Sequence, residues 1–344
     1  MATMKAIDIK DGKGPIENLY ITTIPRPSID GSKALVKVKA FGLNRMDTLQ
    51  REGKYPVPPQ APSTMGVEFS GVVEEVSESP DAEQSFHVGD EVFGLAYGGA
   101  YAEYIAVSTR MLMHKPKELS WEEAAGIPEV WITALQAMYF IGGFGEGKSI
   151  LWHAGASSVS IAGQQLSRVN GASKVFATAR SEEKVRFCVE VLRCHAAYDT
   201  TTTRDWDEEV RKATGGKGVD IIVDYIGPDT FAGNLNAAAR DARIVNLASL
   251  SGTGFNEENV KGVNFGNFVA KRLRFEGSSL RSRDEVYQGR LRDQLVEHAL
   301  PMFRDGRLKC VIEKVYDWKD IQEAHRQMED NATMGKLICV IPGA

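Results

Sequence analysis

The sequence predicts an α/β protein of two domains, a doubly wound parallel sheet and a second domain rich in β-structure. Three observations carry that prediction. Residues 1 to about 125 read as short strands and turns, whereas strand–helix alternation runs from there to about residue 279. Within the alternating stretch, Ser149 to Lys184 reads as strand, small-residue turn, helix and strand in about 30 residues, the outline of a dinucleotide-binding unit. Residues 280–344 then return to a long helix and a closing strand. The expected division is 1–126 with 280–344 for the β-rich domain and 127–279 for the parallel-sheet domain, and 344 residues suffice for both.

Taken in order, Leu35 to Ala40 and Gly71 to Val76 alternate as strands, Val88 to Gly94 is a turn entering a strand, and Gly98 to Val107 reads as another strand. Tyr55 to Pro62 holds four prolines and is expected as an extended loop. Ser120-Trp121-Glu122-Glu123 has the form of a capping box, and Val130 to Ile141 is a second helix stopped by Gly142-Gly143. Ser149 to His153 is a buried strand, and Ala154 to Ser158 is the turn. Val159 to Val169 is helical by its apolar spacing, Gly171 closes that helix, and Lys174 to Thr178 is the next strand. Val219 to Asp224 and Ala242 to Leu247 are further buried strands. A helix from about Arg283 to Phe303 and a strand over Lys336 to Ile341 end the chain.

The turn implies a Rossmann-like cofactor site, with Gly155, Ala156, Ser157, Ser158 and Val159 against the pyrophosphate. Its fingerprint carries Ser158 and Ser160 where glycines are usual, which puts Cβ atoms where the pattern keeps space. An NAD site places an acidic residue about 20 residues past the turn. Here Arg180 lies 22 positions after Ser158, followed by Ser181 and Lys184. A guanidinium, a hydroxyl and an ammonium suit a 2′-phosphate, so the expected cofactor is NADPH. The other reading makes Arg180 and Lys184 a solvated helix start, and Glu182 and Glu183 oppose the phosphate site unless they face away. Ala248, Ser249 and Leu250 follow a strand expected to end at the carboxyl edge of the sheet, where ligands bind.

The net charge of −5 argues against a polyanion, so no nucleic acid is expected as main ligand. No apolar run reaches the ~18 residues a membrane span needs, the N-terminus lacks a signal-peptide core, and the four cysteines form no CxxC pair. A cytoplasmic location is the expectation. The six histidines are scattered, and His153, at a strand end, reads as a core residue more than a catalytic one.

Several motifs in the right order carry a resemblance. Gly42-Leu43-Asn44-Arg45-Met46-Asp47 matches an N-x-x-D segment, Gln50 to Tyr55 an R-x-G-x-Y continuation, and Gly66 to Val73 a G-x-E-x-x-G-x-V strand. Ile127 to Ala134, His153-Ala154-Gly155 and Leu280 to Arg283 add to them. The chain resembles the zinc-free, zeta-crystallin-like quinone oxidoreductases of the medium-chain dehydrogenase/reductase superfamily over nearly its whole length. The resemblance implies a GroES-like fold for the β-rich domain, a substrate cleft between the domains and a homodimer, for which Asn264 to Gly277 is the candidate segment. It implies that Asn44 and Tyr55 border the substrate, each donating to a carbonyl oxygen, and that Thr133 faces the nicotinamide. The alternatives are a turn residue for Asn44, a loop-packing aromatic for Tyr55 and a helix-bonded threonine for Thr133. Thr201 stands where a tyrosine often borders the adenosine phosphate, and Leu49 and Leu192-Arg193-Cys194 are further departures. Arg281 and Arg283 touch cofactor phosphate or are exposed charges; both stay open.

Zinc relatives within the superfamily need a Cys at Asn44 and a His at Val67, and valine offers no lone pair. No metal is therefore expected. Without a Lewis acid for an alkoxide, a small-molecule quinone is the easier hydride acceptor, since its own π system takes up the charge. The expected function is NADPH:quinone oxidoreduction. Reduction of an enone or enal C=C bond, and a non-catalytic protein with a decayed cofactor site, are the alternatives.

Overall fold

A computed structural model describes residues 2–77 and 86–343. The chain divides into two compact units, Met1–Ile132 with Arg281–Ala344, and Thr133–Leu280. The first division falls inside a helix, six residues beyond the change of pattern at 126/127, because Trp131 packs edge-on against Phe303 (4.5 Å between ring centroids). That contact ties the first turn of the helix to the returning segment.

The first unit opens with β1 (Thr3–Ile9) and β2 (Leu19–Pro25), an antiparallel pair. It continues with β3 (Lys33–Gly42), α1 (Arg45–Arg51), β4 (Glu68–Val76), β5 (Glu91–Leu95), β6 (Tyr104–Ser108), β7 (Leu112–His114) and α2 (Trp121–Ala125). The strand expected from Gly98 starts only at Tyr104. Gly98-Gly99 bends the chain, Gly99 taking φ +99°, and Ala102 makes a lone bridge to Ala6 before regular pairing with β3 begins. The capping box forms as its spacing dictates: Glu123 N donates to Ser120 Oγ (3.1 Å) and Ser120 N to Glu123 Oε2 (2.9 Å).

α3 (Pro128–Leu135) runs on as a wider turn over Gln136–Ile141 and stops at Gly142 and Gly143, as the pattern requires. The second unit then alternates β8 (Ser149–Trp152), α4 (Ser158–Val169), β9 (Lys174–Ala179), α5 (Glu182–Arg186), β10 (Ala196–Asp199), α6 (Trp206–Ala213), β11 (Val219–Asp224), α7 (Pro228–Ala237), β12 (Ala238–Asn246), α8 (Phe265–Lys271) and β13 (Arg274–Gly277). All pairings in this sheet are parallel and the order is β10-β9-β8-β11-β12-β13. Numbered from β8, that is the 3-2-1-4-5-6 order of dinucleotide-binding folds, with the order reversing between β8 and β11. α4 lies close on the sheet because Gly163 carries no side chain: a Cβ there would fall 2.2 Å from the Trp152 indole.

The returning segment supplies α9 (Glu285–Gln294), a wider turn over Leu295–Ala299, α10 (Leu300–Arg304), β14 (Ile312–Asp317), α11 (Ile321–Glu329) and β15 (Lys336–Val340). The helix expected to Phe303 is thus one rod with a widened turn just before Pro301, whose ring cannot follow a regular i−4 turn. β15 joins β3, completing the order β14-β15-β3-β4-β5-β7 with β6 on β3. Among the described residues, no helix is long and apolar enough to cross a membrane.

Candidate active site

In the second unit the cofactor turn lies at the carboxyl end of β8, beside the reversal point of the sheet. Ala154 takes a left-handed φ of +46°, which costs a non-glycine residue about 1–2 kcal/mol. Gly155 follows with its N–H on Thr178 O (2.7 Å) and no room behind it, since a Cβ would meet Ala177 and Cys188 at 2.8 Å. Gln164 donates to Gly155 O (2.7 Å) and holds that carbonyl from behind. Ser157 caps α4, Ser158 and Val159 form its first turn, and Ala156 is buried beneath. Ser160 N in that turn donates to Ser157 Oγ (3.5 Å), and a helix N-terminus is a place that favours negative charge.

Ser160 does not meet the turn's outer face. It is fully buried, and its hydroxyl donates to His153 O at 2.6 Å, closing the end of β8 onto α4. The serine therefore fills the space of the usual glycine with a hydrogen bond. Ser160→Gly is expected to lower stability by about 1–3 kcal/mol, because His153 O loses a buried donor; an unchanged urea midpoint would refute this role.

His153 is a core residue. Its Nδ1 lies 2.8 Å from Thr178 Oγ1 and its Nε2 2.7 Å from Asn234 Oδ1. Asn234 Nδ2 donates to Asp224 Oδ2 (2.8 Å), as does Thr230 Oγ1 (2.8 Å), while Asp224 Oδ1 accepts the N–H of Ile226 (2.7 Å) and Gly227 (3.3 Å). This buried network joins the carboxyl ends of β8, β9 and β11 to α7.

Arg180 stands exposed after β9. Ser181 caps α5, accepting from Lys184 N (3.3 Å), and Glu182 is turned onto Arg186 (3.4 Å), so its carboxylate is drawn along the helix. Thr201 follows β10 with its hydroxyl donated to Asp199 Oδ1 at 2.7 Å. Ala248, Ser249 and exposed Leu250 run beside the continuation of β11, with Leu250 N on Tyr225 O (2.9 Å). Thr133 is half-buried on α3.

The first unit gathers the other predicted residues around a buried polar cluster. Asn44 caps α1; its amide donates to Glu68 Oε1 (2.8 Å) and its carbonyl accepts from Lys336 Nζ (2.6 Å). One of the two amide hydrogens is therefore engaged by Glu68. Lys336 also pairs with Glu68, and both are almost wholly buried. The second oxygen of Glu68 accepts the N–H of Glu129 (2.9 Å).

Asp47 Oδ2 accepts Asn44 N (2.8 Å) and Tyr101 Oη (3.2 Å), while its Oδ1 is buried with no partner. Burial pushes the Asp47 carboxyl up to about 6, against the pull of Asn44 N, Arg281 and Lys336. Behind Tyr101 stands His325, its Nε2 at 3.3 Å from Tyr101 Oη and its Nδ1 at 3.4 Å from Arg51 Nη1. Arginine offers only donors, so Nδ1 accepts and Nε2–H points at the tyrosine. Burial, then Arg51, hold the imidazole down at about 3 and therefore neutral. Burial and next the Glu68 charge push Glu129 up to about 8.

Arg281 is buried, which removes the exposed-charge reading: Nε donates to Tyr97 O (2.8 Å), Nη1 to Gln50 Oε1 (2.8 Å), and the guanidinium lies 5.4 Å from the Tyr55 ring centroid. Tyr55 is half-buried. Arg283 is half-buried with its guanidinium over Tyr287 (4.6 Å), and its carbonyl accepts from Tyr97 Oη (2.8 Å). Tyr55 and Arg281 thus meet, and Asn44 joins them through α1.

Sequence reasoning missed Glu68, Glu129, Lys336, Tyr101 and His325 as a cluster. A signal existed: Glu68 and Lys336 are charges heading apolar strands, where a buried ion must find a partner. Among the described residues, no three His, Cys, Asp or Glu side chains gather as metal ligands.

Comparison with known proteins agrees with this architecture. Residues 30–117 match the family described as alcohol dehydrogenase GroES-like domain, and residues 158–296 the family described as zinc-binding dehydrogenase. The chain is 28% identical to the synaptic vesicle membrane protein VAT-1 homolog of Danio rerio over 91% of its own length and 65% of that protein's. It therefore spans just under two thirds of that relative. It is 25% identical to quinone oxidoreductase of Lama guanicoe over 98% of both. The solved quinone oxidoreductase of Pseudomonas syringae pv. Tomato DC3000 superposes with a TM-score of 0.82 at 28% identity, covering 98% of this chain and 99% of that one. With a GroES-like domain, a nicotinamide-type parallel sheet and these relatives, the chain belongs to the medium-chain dehydrogenase/reductase superfamily of oxidoreductases.

Proposed function

We propose that the protein is an NADPH-dependent quinone oxidoreductase that works without zinc. The observation that carries the cofactor half is Arg180, exposed at the end of the strand next to the turn, with Glu182 drawn away onto Arg186. A guanidinium there suits a 2′-phosphate, where an NAD site would offer a carboxylate to the ribose. The rest of the turn fits the same ligand: the first-turn N–H groups of α4 face the pyrophosphate, and Gly155 lets the chain fold back tightly. When bound, the nicotinamide supplies the hydride.

Asn44 keeps its orientation through Glu68 and Lys336 and has a second amide hydrogen for a substrate carbonyl oxygen. Tyr55, held by the ring contact with Arg281, lends an aromatic face and a hydroxyl. These groups bind and orient; the charge that develops is spread over the quinone ring, so no Lewis acid is needed. A homodimer and a cytoplasmic location belong to the same reading. Its interface is the edge of β13, which pairs only with β12 among the described residues and exposes Phe275.

Arg180→Ala tests the reading. NADPH affinity, followed by tryptophan fluorescence, is expected to fall about 10–100-fold, the size of one or two lost charge-assisted hydrogen bonds, while NADH is nearly unaffected. Equal losses for both cofactors would remove the phosphate site. A parallel panel of quinones and enones assigns the acceptor, and faster turnover of the enones would reassign the chain as a C=C reductase.

A further inference from the structure

We propose that Tyr101 is a positioning residue of the substrate site: it holds the Asp47 carboxylate on the backbone of Asn44, and His325 and Arg51 fix the direction in which it donates. The inference rests on the quinone-reductase reading above, in which Asn44 meets the substrate carbonyl.

Asp47 is fully buried, yet only one of its oxygens is used. Oδ2 accepts both Asn44 N (2.8 Å) and Tyr101 Oη (3.2 Å), while Oδ1 has no partner among the described residues. Asp47 N in turn donates to Asn44 O (2.9 Å), so Asp47 holds both backbone groups of Asn44. Tyr101 therefore supplies one of the two hydrogen bonds that keep this carboxylate in place.

The tyrosine ring is itself locked. It is fully buried, 4.6 Å from the Phe41 ring between centroids, and its place exists only because Gly66 has no side chain: a Cβ there would fall 2.4 Å from Tyr101 Cδ1. The direction of donation follows from the far end of the row. Arg51 Nη1 lies 3.4 Å from His325 Nδ1, and a guanidinium cannot accept, so Nε2 carries the imidazole hydrogen. Nε2, 3.3 Å from Tyr101 Oη, donates to the tyrosine, whose one hydrogen is left for Asp47. Arg51 is buried and anchored on Gly14 O (3.0 Å) and on Glu329 of α11 (2.5 Å). Arg51, His325 and Tyr101 thus donate in one direction onto Asp47, each polarised by the one before it.

Without the tyrosine hydroxyl, a fully buried carboxylate would keep a single hydrogen bond, which favours its protonated form. Burial already holds this carboxyl up at about 6, against the pull of Asn44 N, Arg281 at the start of the returning segment, Lys336 on β15 and Tyr101. Glu129 on α3 also faces it and is held up to about 8, so it titrates at higher pH. His325, held at about 3, stays neutral throughout. Once protonated, Asp47 loses the charge that strengthens its bond to Asn44 N, and Asn44 is held less firmly.

Tyr101→Phe tests this, since it keeps the ring and removes the hydroxyl. In wild type the quinone KM at saturating NADPH should rise as pH falls through about 6, with kcat little changed. In Y101F that limb should move up by about one pH unit, which about doubles KM at neutral pH, while NADPH affinity stays at the wild-type value. His325→Asn keeps an acceptor for Arg51 and removes the Nε2 hydrogen; it should move the limb the same way, by less. Arg45→Ala is the control for loosened packing. Arg45 ties α1 to Met328 O (2.5 Å) and Asn331 Oδ1 (2.6 Å), outside the row, so its loss should lower the urea midpoint and leave the limb in place.

A readout independent of turnover is the infrared band of the protonated Asp47 carboxyl, identified by its absence from Asp47→Asn. Its midpoint should lie near 6 in wild type and about one unit higher in Y101F. An unmoved midpoint in Y101F, a moved midpoint with an unmoved KM limb, or a limb moved as far by R45A would each overturn the proposal. If wild type reduces no quinone at any pH, the quinone reading fails instead, and the infrared midpoint alone decides whether Tyr101 sets the state of Asp47.

Discussion

Replacing Lys336 by methionine is expected to lower stability by about 3–5 kcal/mol, the cost of leaving a buried ion without its partner. Lys336 is 2% exposed and Glu68 fully buried, and the ammonium reaches both Glu68 Oε1 and Asn44 Oδ1. Methionine preserves most of the volume, so a cavity contributes little and the loss reports the charge. Two carboxyl groups would remain, Glu68 and Glu129, linked through the Glu129 N–H and with no cation seated on either. Urea unfolding measures the loss. A loss under about 1 kcal/mol would mean that the ion pair is structurally idle.

This pair also marks the limit of what the sequence makes legible. The capping box at Ser120, the small-residue turn at Ala154 to Ser158 and the apolar spacing of α4 depend on residues within a turn or two of one another. Such patterns are visible in one dimension, and so is the parallel sheet, whose strands are short apolar runs bounded by turns. Glu68 and Lys336 lie near opposite ends of the chain, and only the antiparallel pairing of β3 with both β4 and β15 brings them together. The strand expected from Gly98 fails for the same reason. Its first half is held by Thr64 to Gly66 and by β1, with one bridge to Ala6, and not by a regular ladder along β3.

Ser160 shows a subtler limit. Set against a glycine fingerprint it looks like damage, yet its hydroxyl takes the carbonyl at the end of β8 and makes a contact that glycine cannot. The two partners that fix the orientation of Asn44, Glu68 and Lys336, are not legible from its own segment. For Arg281, in an arginine-rich run, the sequence leaves a phosphate contact and an exposed charge equally open. Its burial follows from the carbonyl of Tyr97, to which the intervening sequence gives no clue.

Asp224→Ala should have a comparable effect on the second unit, about 3–5 kcal/mol, by a different mechanism. Asp224 is 1% exposed and is held by four donors, the N–H groups of Ile226 and Gly227, Thr230 Oγ1 and Asn234 Nδ2. Truncation strands three of them, since Thr230 Oγ1 keeps Gly227 O as an acceptor (3.0 Å), and each buried donor left unsatisfied costs about 1–3 kcal/mol before water and relaxation recover part of it. The damage should spread along the carboxyl edge of the sheet. Asn234 loses the contact that orients it, so its hold on His153 Nε2 weakens, and with it the tie from His153 to Thr178 at the end of β9. Gly155 hangs its N–H on the same Thr178, so the cofactor turn should loosen although no residue of the turn has changed. Asp224→Asn separates the two effects. Its carbonyl still accepts from Ile226 and Gly227, but its amide faces the amide of Asn234, donor to donor, until Asn234 flips and His153 changes tautomer. The asparagine variant should therefore recover about half the stability and little of the NADPH affinity. Hydrogen exchange at Ile226 and Gly227, read beside cofactor titration, distinguishes them. Full cofactor affinity in both variants would show that the turn is held by its own backbone and Gln164, independently of the network behind it.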